Sequence, residues 1–161
     1  MDRNFYQFRS EWQLSAPPDD VFRALAEIDD YPTWWPEVRA VQRLSDDARR
    51  LTCRSVLPYD LGFTIRQSRR DRQAGLLEAT LNGDVEGLSR WTITASSGGT
   101  LAVFEEEVVA NKGLLRRLGL IARPAFRVNH SLMMSHGRRG LQAYLAGMRL
   151  GREPETPDIP T

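Results

Sequence analysis

The stretch from Leu114 to Met148, LLRRLGLIARPAFRVNHSLMMSHGRRGLQAYLAGM, decides how this chain folds, because no other segment has the length and periodicity of a long helix. When successive residues are stepped at about 100°, its apolar side chains fall on one stripe, which Asn129 and His136 interrupt. Such a helix would run roughly 50 Å, and less if Pro124 bends it. The two polar interruptions indicate that the helix lines a space that is not wholly apolar.

Length and charge limit the classes to which the protein can belong. A chain of 161 residues can form one domain with a proper core, and we assign residues 1–150 to that domain. Residues 151–161 are rich in proline and acidic side chains, which predicts a disordered tail. The formal net charge of +1 argues against a nucleic-acid-binding protein, since such proteins usually have a strong basic excess.

Cysteine, histidine and long apolar runs are all scarce in the sequence. The single cysteine, Cys53, excludes an internal disulfide framework, and the few Cys and His side chains predict neither a zinc site nor a cofactor. There is no signal-peptide core and no run of about 20 apolar residues, so we predict a cytoplasmic protein without integral membrane association. Arginine pairs such as Arg116-Arg117 and Arg138-Arg139 are interpreted as solvated surface, with transient contact to anionic lipid or a partner as the alternative.

The N-terminal part predicts one strand followed by two short helices. Residues Phe5–Leu14 alternate between two faces as in a half-buried strand, and the segment 15–19, SAPPD, then opens a first helix. The run 31–36, YPTWWP, is too short and proline-rich for a strand, so it predicts a second short helix or a rigid turn. Its adjacent Trp34 and Trp35 either plug the gap between helix and sheet or form a wall of a ligand site.

The middle of the chain predicts strands in hairpin succession, separated by turn signals such as Ser96-Ser97-Gly98-Gly99. The predicted strands are 38–44, 50–57, 61–68, 76–82, 88–95 and 100–110. An antiparallel sheet of this size curls, and its concave face needs a cover that only the long C-terminal helix can provide. The sequence therefore predicts an α+β fold in which a curved antiparallel sheet holds that helix.

Three successive glutamates, Glu105 to Glu107, lie in the last predicted strand. If Phe104 and Val108 belong to the core, then Glu106 faces inward, whereas the opposite register turns its two neighbours inward. A buried carboxylate is costly unless it is paired or protonated. The available partners are Arg54, Arg66, Arg90, His130 and His136. We weigh an ion pair at the rim of the sheet against an acidic group in a cavity that faces a ligand hydroxyl or transfers a proton.

The two histidines require the same choice between a structural and a functional interpretation. Straight helical projection places His136 at the centre of the apolar stripe and His130 at its edge. A lone inward histidine is usually a hydrogen-bonded core residue. Neither histidine is accompanied by a serine or cysteine nucleophile with a recognisable triad spacing, and the chain contains no phosphate-binding glycine loop.

Several motifs together resemble one known superfamily. They are WQLSAPPDDVF beginning at Trp12, the run from Asp30 to Pro36, NGDVEG at 82–87 with Trp91, Gly99-Thr100 at the start of the last strand, and Asn129-His130 with Met134 and Gly137. Over roughly residues 5–148 the chain resembles the START-like helix-grip superfamily (SRPBCC), in particular its bacterial polyketide cyclase/dehydrase and lipid-transport branch. These motifs are a specific signature of the fold and a weak signature of any one reaction.

The resemblance implies a seven-stranded antiparallel sheet wrapped around the C-terminal helix, with two short helices after the first strand. Between sheet and helix it implies a deep, largely apolar tunnel that takes lipids, sterols, polyketides or quinones. The residues of the last strand that would face this tunnel are Thr100, Ala102, Phe104, Glu106 and Val108. Relatives commonly have a bulky aromatic residue at position 106, so Glu106 would make this pocket wider and more polar.

Three hypotheses for the function follow. In the first, the protein binds a small hydrophobic or amphipathic ligand such as a lipid, polyketide or quinone-like compound, as a monomer or homodimer. In the second, Glu106 and His130 form the acid/base pair of a polyketide cyclase or dehydratase. In the third, the protein binds a protein partner. The expected ligand-binding residues are Trp12, Trp34, Trp35, Phe63, Trp91, Phe104, Glu106, Phe126, Asn129, His130 and Met133. Of the two histidines, the resemblance favours His130 as the ligand-facing one and leaves His136 buried or at the rim.

Overall fold

The structure, a computed structural model, describes residues 5–54 and 56–151. Its strands are β1 (Phe5–Leu14), β2 (Val38–Arg43), β3 (Ala48–Cys53), β4 (Leu61–Asp71), β5 (Leu76–Gly83), β6 (Val85–Ser96) and β7 (Gly99–Ala110). Its helices are α1 (Pro18–Ala26), α2 (Tyr31–Trp34), α3 (Lys112–Leu118) and α4 (Ala122–Leu150), with 3-10 turns at Ile28–Asp30 and Gly119–Ile121. The predicted tail, apart from Gly151, lies outside the described residues.

The strands form one curved antiparallel sheet in the order β1-β7-β6-β5-β4-β3-β2. Strands β2 to β7 follow one another as hairpins, and β1 pairs with the last of them along its full length, from Phe5 opposite Val109 to Leu14 opposite Thr100. Helix α4 packs its buried side against the sheet, and α1 and α2 follow β1. The predicted α+β helix-grip fold is therefore confirmed.

The long predicted helix is divided in the structure, which corrects the prediction of one continuous helix from Leu114. Helix α3 ends at Leu118, and Gly119 adopts φ 59°, a left-handed conformation that favours glycine. After one 3-10 turn, α4 continues for 29 residues. Pro124 lies in the first turn of α4, where its missing N–H has no helical partner to lose, so it does not bend the helix.

The strand predicted at 50–57 ends earlier, at Cys53. The backbone N–H groups of Val56 and Leu57 both donate to the Asn129 side-chain oxygen, at 3.1 and 3.4 Å, instead of pairing with a neighbouring strand. Ser55 lies outside the described residues. Helix α4 thus holds the segment between β3 and β4 through one buried amide.

Two glycines let α2 approach α4 closely. A Cβ atom on Gly137 would lie 2.6 Å from the Trp35 ring, and one on Gly140 would lie 1.7 Å from the Trp34 carbonyl oxygen. The Trp35 indole N–H donates to the Met133 carbonyl of α4 at 2.8 Å. These contacts fix the rotation of α4 about its axis and therefore decide which of its side chains face the sheet. Among the described residues, no helix is long and apolar enough to cross a membrane.

Candidate functional site

A cavity of about 140 Å³ lies between the sheet and α4. Its wall is mostly apolar and includes Trp35, Phe63, Trp91, Phe104, Phe126 and Met133. An apolar cavity of about 150 Å³ is large enough for benzene, whereas pockets for drug-sized ligands usually measure about 300 Å³ or more. In the described conformation, the cavity therefore has room for about one ring of a ligand.

Polar side chains reach the cavity along one row that crosses the sheet. In register, Gln67 of β4 lies opposite Ala79, Ala79 opposite Ser89, and Ser89 opposite Glu106. All four residues line the cavity. Because residues opposite one another point to the same face of a sheet, this row places a hydroxyl beside a carboxylate, with an amide two strands away beyond Ala79. Gln67 and Ser89 were absent from the residues expected from the sequence, since only strand pairing reveals that they share a row with Glu106.

Glu106 and His130 meet at the end of this row. The imidazole Nε2 lies 3.0 Å from a carboxylate oxygen of Glu106, and the two side chains are 16% and 12% exposed. On the other side, the His130 ring stacks on Phe8 with 3.8 Å between ring centroids. Such a pair can accept a hydrogen bond from a ligand through the carboxylate, or exchange a proton between imidazole and carboxylate.

The register of β7 decides between the two alternatives for the glutamates. Glu106 lines the cavity, whereas Glu105 and Glu107 are on the opposite face. Glu107 accepts a hydrogen bond from the Gln7 amide at 3.0 Å, and Glu105 lies 3.9 Å from Arg9. The arginines considered as partners of the inward acid form ion pairs elsewhere: Arg54 with Asp60, Arg66 with Asp47 and Arg90 with Glu78. Thr100, Ala102 and Val108 are buried on the inner face of β7 but do not line the cavity.

Asn129 lines the cavity and also makes hydrogen bonds that hold the neighbouring backbone. Its side chain is only 3% exposed, and its oxygen is used by the two backbone N–H groups of Val56 and Leu57. Its amide nitrogen lies 3.5 Å from the Met133 sulfur. Among its polar atoms, the amide nitrogen is thus the one left to meet a ligand.

The four tryptophans differ in their relation to the cavity. Trp35 and Trp91 line it, whereas Trp12 and Trp34, both expected at the site, are absent from its lining. Trp12 packs behind the wall, with its ring centroid 5.5 Å from that of Trp35 and 4.7 Å from that of Trp91. Trp34 is buried and stacks on Trp35.

His136 does not lie at the centre of the buried side of α4, contrary to the helical projection. Its side chain is 43% exposed, and its Nδ1 atom contacts the buried carboxylate of Glu37. The buried positions of α4 are Ala122, Phe126, Asn129, Met134, Gly137, Leu141 and Leu145. The projection was wrong by about one residue because it weighed apolar side chains and took no account of the glycines that contact the tryptophans.

Cys53 also lines the cavity, a position that the sequence analysis did not predict. Burial, together with the nearby charges of Glu106 and Glu37, raises the pKa of its thiol to about 12. The thiol therefore stays protonated at neutral pH and contributes a small apolar surface. Within the described residues, no three His, Cys, Asp or Glu side chains are close enough together to hold a metal ion.

Comparisons with known proteins agree with the helix-grip fold. The family described as "Polyketide cyclase / dehydrase and lipid transport" matches residues 7–141. The Zhui aromatase/cyclase from Streptomyces sp. R1128 is similar in structure with a TM-score of 0.75 and 16% identity over 88% of this chain and 94% of that chain. A START superfamily protein from Mycobacterium smegmatis has a TM-score of 0.68 and 13% identity over 89% and 98% of the two chains. None of the curated proteins matches the sequence.

Proposed function

Because the chain belongs to the polyketide cyclase/dehydrase and lipid transport family, we propose that it binds a small hydrophobic or amphipathic ligand in the cavity between the sheet and α4. The observation that carries this proposal is the composition of the cavity wall. Its surface is mostly apolar, and a partly buried carboxylate–imidazole pair, Glu106 and His130, forms part of it. A site of this composition orients a ligand by a few polar contacts and binds it mainly by apolar burial.

The chemistry of the polar row narrows the class of ligand. The Glu106 carboxylate accepts hydrogen bonds, so it favours a ligand with a hydroxyl or enol group over one with a carboxylate. The cavity volume favours a single ring or a short chain segment at this position. A phenol, the head of a quinol or one end of a longer lipid or polyketide satisfies both conditions.

The matched compounds p-cresol and toluene test this proposal, because they differ only in the hydroxyl group. A hydrogen bond to a charged group contributes about 1.5–3 kcal/mol, so p-cresol should bind at least about tenfold more tightly than toluene. Tryptophan fluorescence and ligand-observed NMR can measure both affinities, since Trp35 and Trp91 line the cavity.

The variant Glu106→Gln should remove most of the preference for p-cresol while leaving toluene binding within about threefold. Glu107→Gln is the matched control, because Glu107 lies on the opposite face of the same strand. Native mass spectrometry of the purified protein adds a second readout, a retained small molecule. Absence of binding to either compound, together with repeated empty preparations, would contradict the proposal.

Catalysis is the second candidate function, and the 3.0 Å contact between His130 and Glu106 is the observation that favours it. In this hypothesis the pair serves as acid and base on a polyketide or a related carbonyl compound. Glu106→Gln and His130→Ala should then abolish turnover and keep ligand affinity within about threefold. A collapse of affinity in both variants would instead identify the pair as a ligand anchor.

The remaining expectations from the sequence stay predictions. They are the cytoplasmic location, the absence of a cofactor and of nucleic-acid binding, the monomeric or dimeric state and the alternative of a protein partner.

A further inference from the structure

The corner between α3 and α4 exposes two large apolar side chains. Leu120 is 104% exposed and Ile121 is 63% exposed, whereas Leu118 and Ala122 on either side are buried. The left-handed conformation of Gly119 ends α3, and the next two side chains lie outside the core. Adjacent exposed apolar side chains of this size mark a contact surface more often than scattered single ones do.

Two further exposed side chains, both valines, lie near the cavity residues Phe126 and Asn129. Val128 of α4 is 54% exposed and Val56 is 55% exposed. The Val56 N–H bonds to Asn129, the residue after Val128, so the two valines belong to one region. Phe126 and Asn129 line the cavity from this same part of α4. The exposed apolar residues of α4 and Val56 thus adjoin residues that line the cavity.

The C-terminal segment that contains this corner carries charge of a single sign. Residues 108–151 contain eight Lys and Arg side chains and no Asp or Glu, so a chain with a net charge of +1 has +8 here and −7 elsewhere. Lys112, Arg116 and Arg127 are exposed beside the apolar residues. None of the ion pairs found within residues 5–54 and 56–151 involves any of these three.

The acidic side chains of the neighbouring loops already have partners. Asp84 accepts a hydrogen bond from the Gly62 N–H at 2.9 Å and contacts the Asn111 amide at 3.3 Å. Asp60 lies 3.9 Å from Arg54. At the start of α3 the Asp84 carboxylate thus stands against three exposed cations, so the corner keeps a positive excess, which an anionic surface complements.

We propose that this corner docks on an anionic membrane, with Leu120 and Ile121 entering the interface and Lys112, Arg116 and Arg127 contacting lipid phosphates. A bilayer provides both apolar depth and negative charge, which are the two features that this corner complements. A second copy of the chain would instead bring like charges together across a symmetric contact. The inference rests on the proposed ligand-binding function and adds the source of the ligand, which passes between the membrane and the cavity end at Phe126 and Asn129.

Vesicle co-sedimentation tests the docking surface directly. The full-length protein should bind vesicles of 70% phosphatidylcholine and 30% phosphatidylglycerol, and should not bind vesicles of pure phosphatidylcholine. Leu120→Ser combined with Ile121→Ser should weaken binding at least about tenfold, because both side chains lose their apolar contact with the interface. Arg116→Gln combined with Arg127→Gln should weaken it about 25-fold, at roughly fivefold for each charge removed near the surface.

Two control variants separate this corner from general adhesion. Leu88→Ser changes a 58% exposed side chain on β6, and Arg138→Gln with Arg139→Gln removes the same charge farther along α4. Both controls should change vesicle binding by about twofold or less, since charges beyond a Debye length of about 10 Å contribute little. Equal losses in corner and control variants would overturn the proposal, as would binding to both vesicle types alike or to neither.

Two further measurements distinguish the other outcomes. If sedimentation shows a dimer of the 18.3 kDa chain that the Leu120→Ser, Ile121→Ser variant converts to monomer, then a second copy covers the corner and the proposal is overturned. The same variant should keep its affinity for p-cresol, because neither residue lines the cavity. Conversely, Glu106→Gln should weaken p-cresol binding and leave vesicle binding intact, because Glu106 lies in the cavity and not at the corner. The ligand-binding proposal and the docking proposal can therefore fail separately.

Discussion

The substitution Gly140→Ala tests how α4 is held against α2. A Cβ atom at this position would lie 1.7 Å from the Trp34 carbonyl oxygen and 2.9 Å from its carbonyl carbon. The obstacle is backbone, which cannot rotate away as the end of a flexible side chain can. Moreover, the Trp35 indole N–H donates to the Met133 carbonyl of α4 at 2.8 Å, and the Tyr31 hydroxyl donates to the Leu25 carbonyl of α1 at 2.6 Å. Helix α2 is therefore fixed from two sides, and the added methyl group must separate the two helices.

The expected change in stability is the difference between two opposing effects. Replacing a helical glycine by alanine stabilises a helix by up to about 1 kcal/mol. Overpacking a buried contact costs about 1–3 kcal/mol, and a backbone obstacle places this site near the upper value. We therefore expect Gly140→Ala to lower the free energy of unfolding by about 1–2 kcal/mol. At about 2–4 °C per kcal/mol for a chain of this size, Tm should fall by about 2–8 °C.

Gly147→Ala is the matched control, since it makes the same substitution in the same helix. A Cβ atom at Gly147 meets nothing within 4 Å, and the residue is exposed. This variant should raise the free energy of unfolding by about 0.5–1 kcal/mol. Urea unfolding followed by circular dichroism measures both variants. A shift in the same direction for both would refute the close-packing argument, because helix propensity alone would then account for the result.

Three further predictions concern buried groups. Cys53, the only cysteine, should resist a thiol reagent at pH 8 in the folded protein and react at once in urea, because burial raises the pKa of its thiol to about 12. The thiol of the unfolded chain ionises from about pH 9, so the stability that the protonated thiol contributes should be complete below that pH and be lost as the pH rises toward 12. Urea titrations across this pH range can follow the loss. Asn129→Ala should lower the free energy of unfolding by about 1–3 kcal/mol, because two backbone N–H groups lose their acceptor, and hydrogen exchange should show faster exchange at Val56 and Leu57. Thr100→Val should lower the free energy of unfolding in urea by about 1–3 kcal/mol, because the fully buried Thr100 hydroxyl donates to a backbone carbonyl at 2.6 Å. Unchanged stability in Asn129→Ala or in Thr100→Val would contradict the corresponding hydrogen bond.

The order of elements was predictable from the sequence because its signals are local. Alternation in Phe5–Leu14, the proline-rich start of α1 and the glycine turn at 98–99 each follow from a few neighbouring residues. The end of β3 was not predictable in this way. It depends on the side chain of Asn129, more than 70 residues along the chain, which takes the N–H groups of Val56 and Leu57 out of the sheet.

The site was less predictable, because it depends on pairing between distant strands. The sequence left two registers open for Glu105 to Glu107, and only the pairing of Phe8 with Glu106 and of Glu106 with Ser89 decides between them. The same pairing brings Gln67 into the row, although nothing near Gln67 in the sequence marks it as a cavity residue. The resemblance to the helix-grip superfamily favoured His130, and in the structure its Nε2 atom lies 3.0 Å from a carboxylate oxygen of Glu106.

The glycines of α4 explain why one histidine reaches the cavity and the other does not. Gly137 follows His130 by seven residues, which corresponds to two helical turns less about 20°, so the two positions share a face. His136 lies about 100° away from Gly137 and turns toward Glu37 at the edge. Trp35 packs against Gly137 and lines the cavity, so the tryptophans lie at that end of α4. The part of α4 that carries Phe126 and His130 follows the exposed Leu120–Ile121 corner, so the packing that orients this histidine toward the cavity also places it on the corner's side of the Trp35 contact along α4.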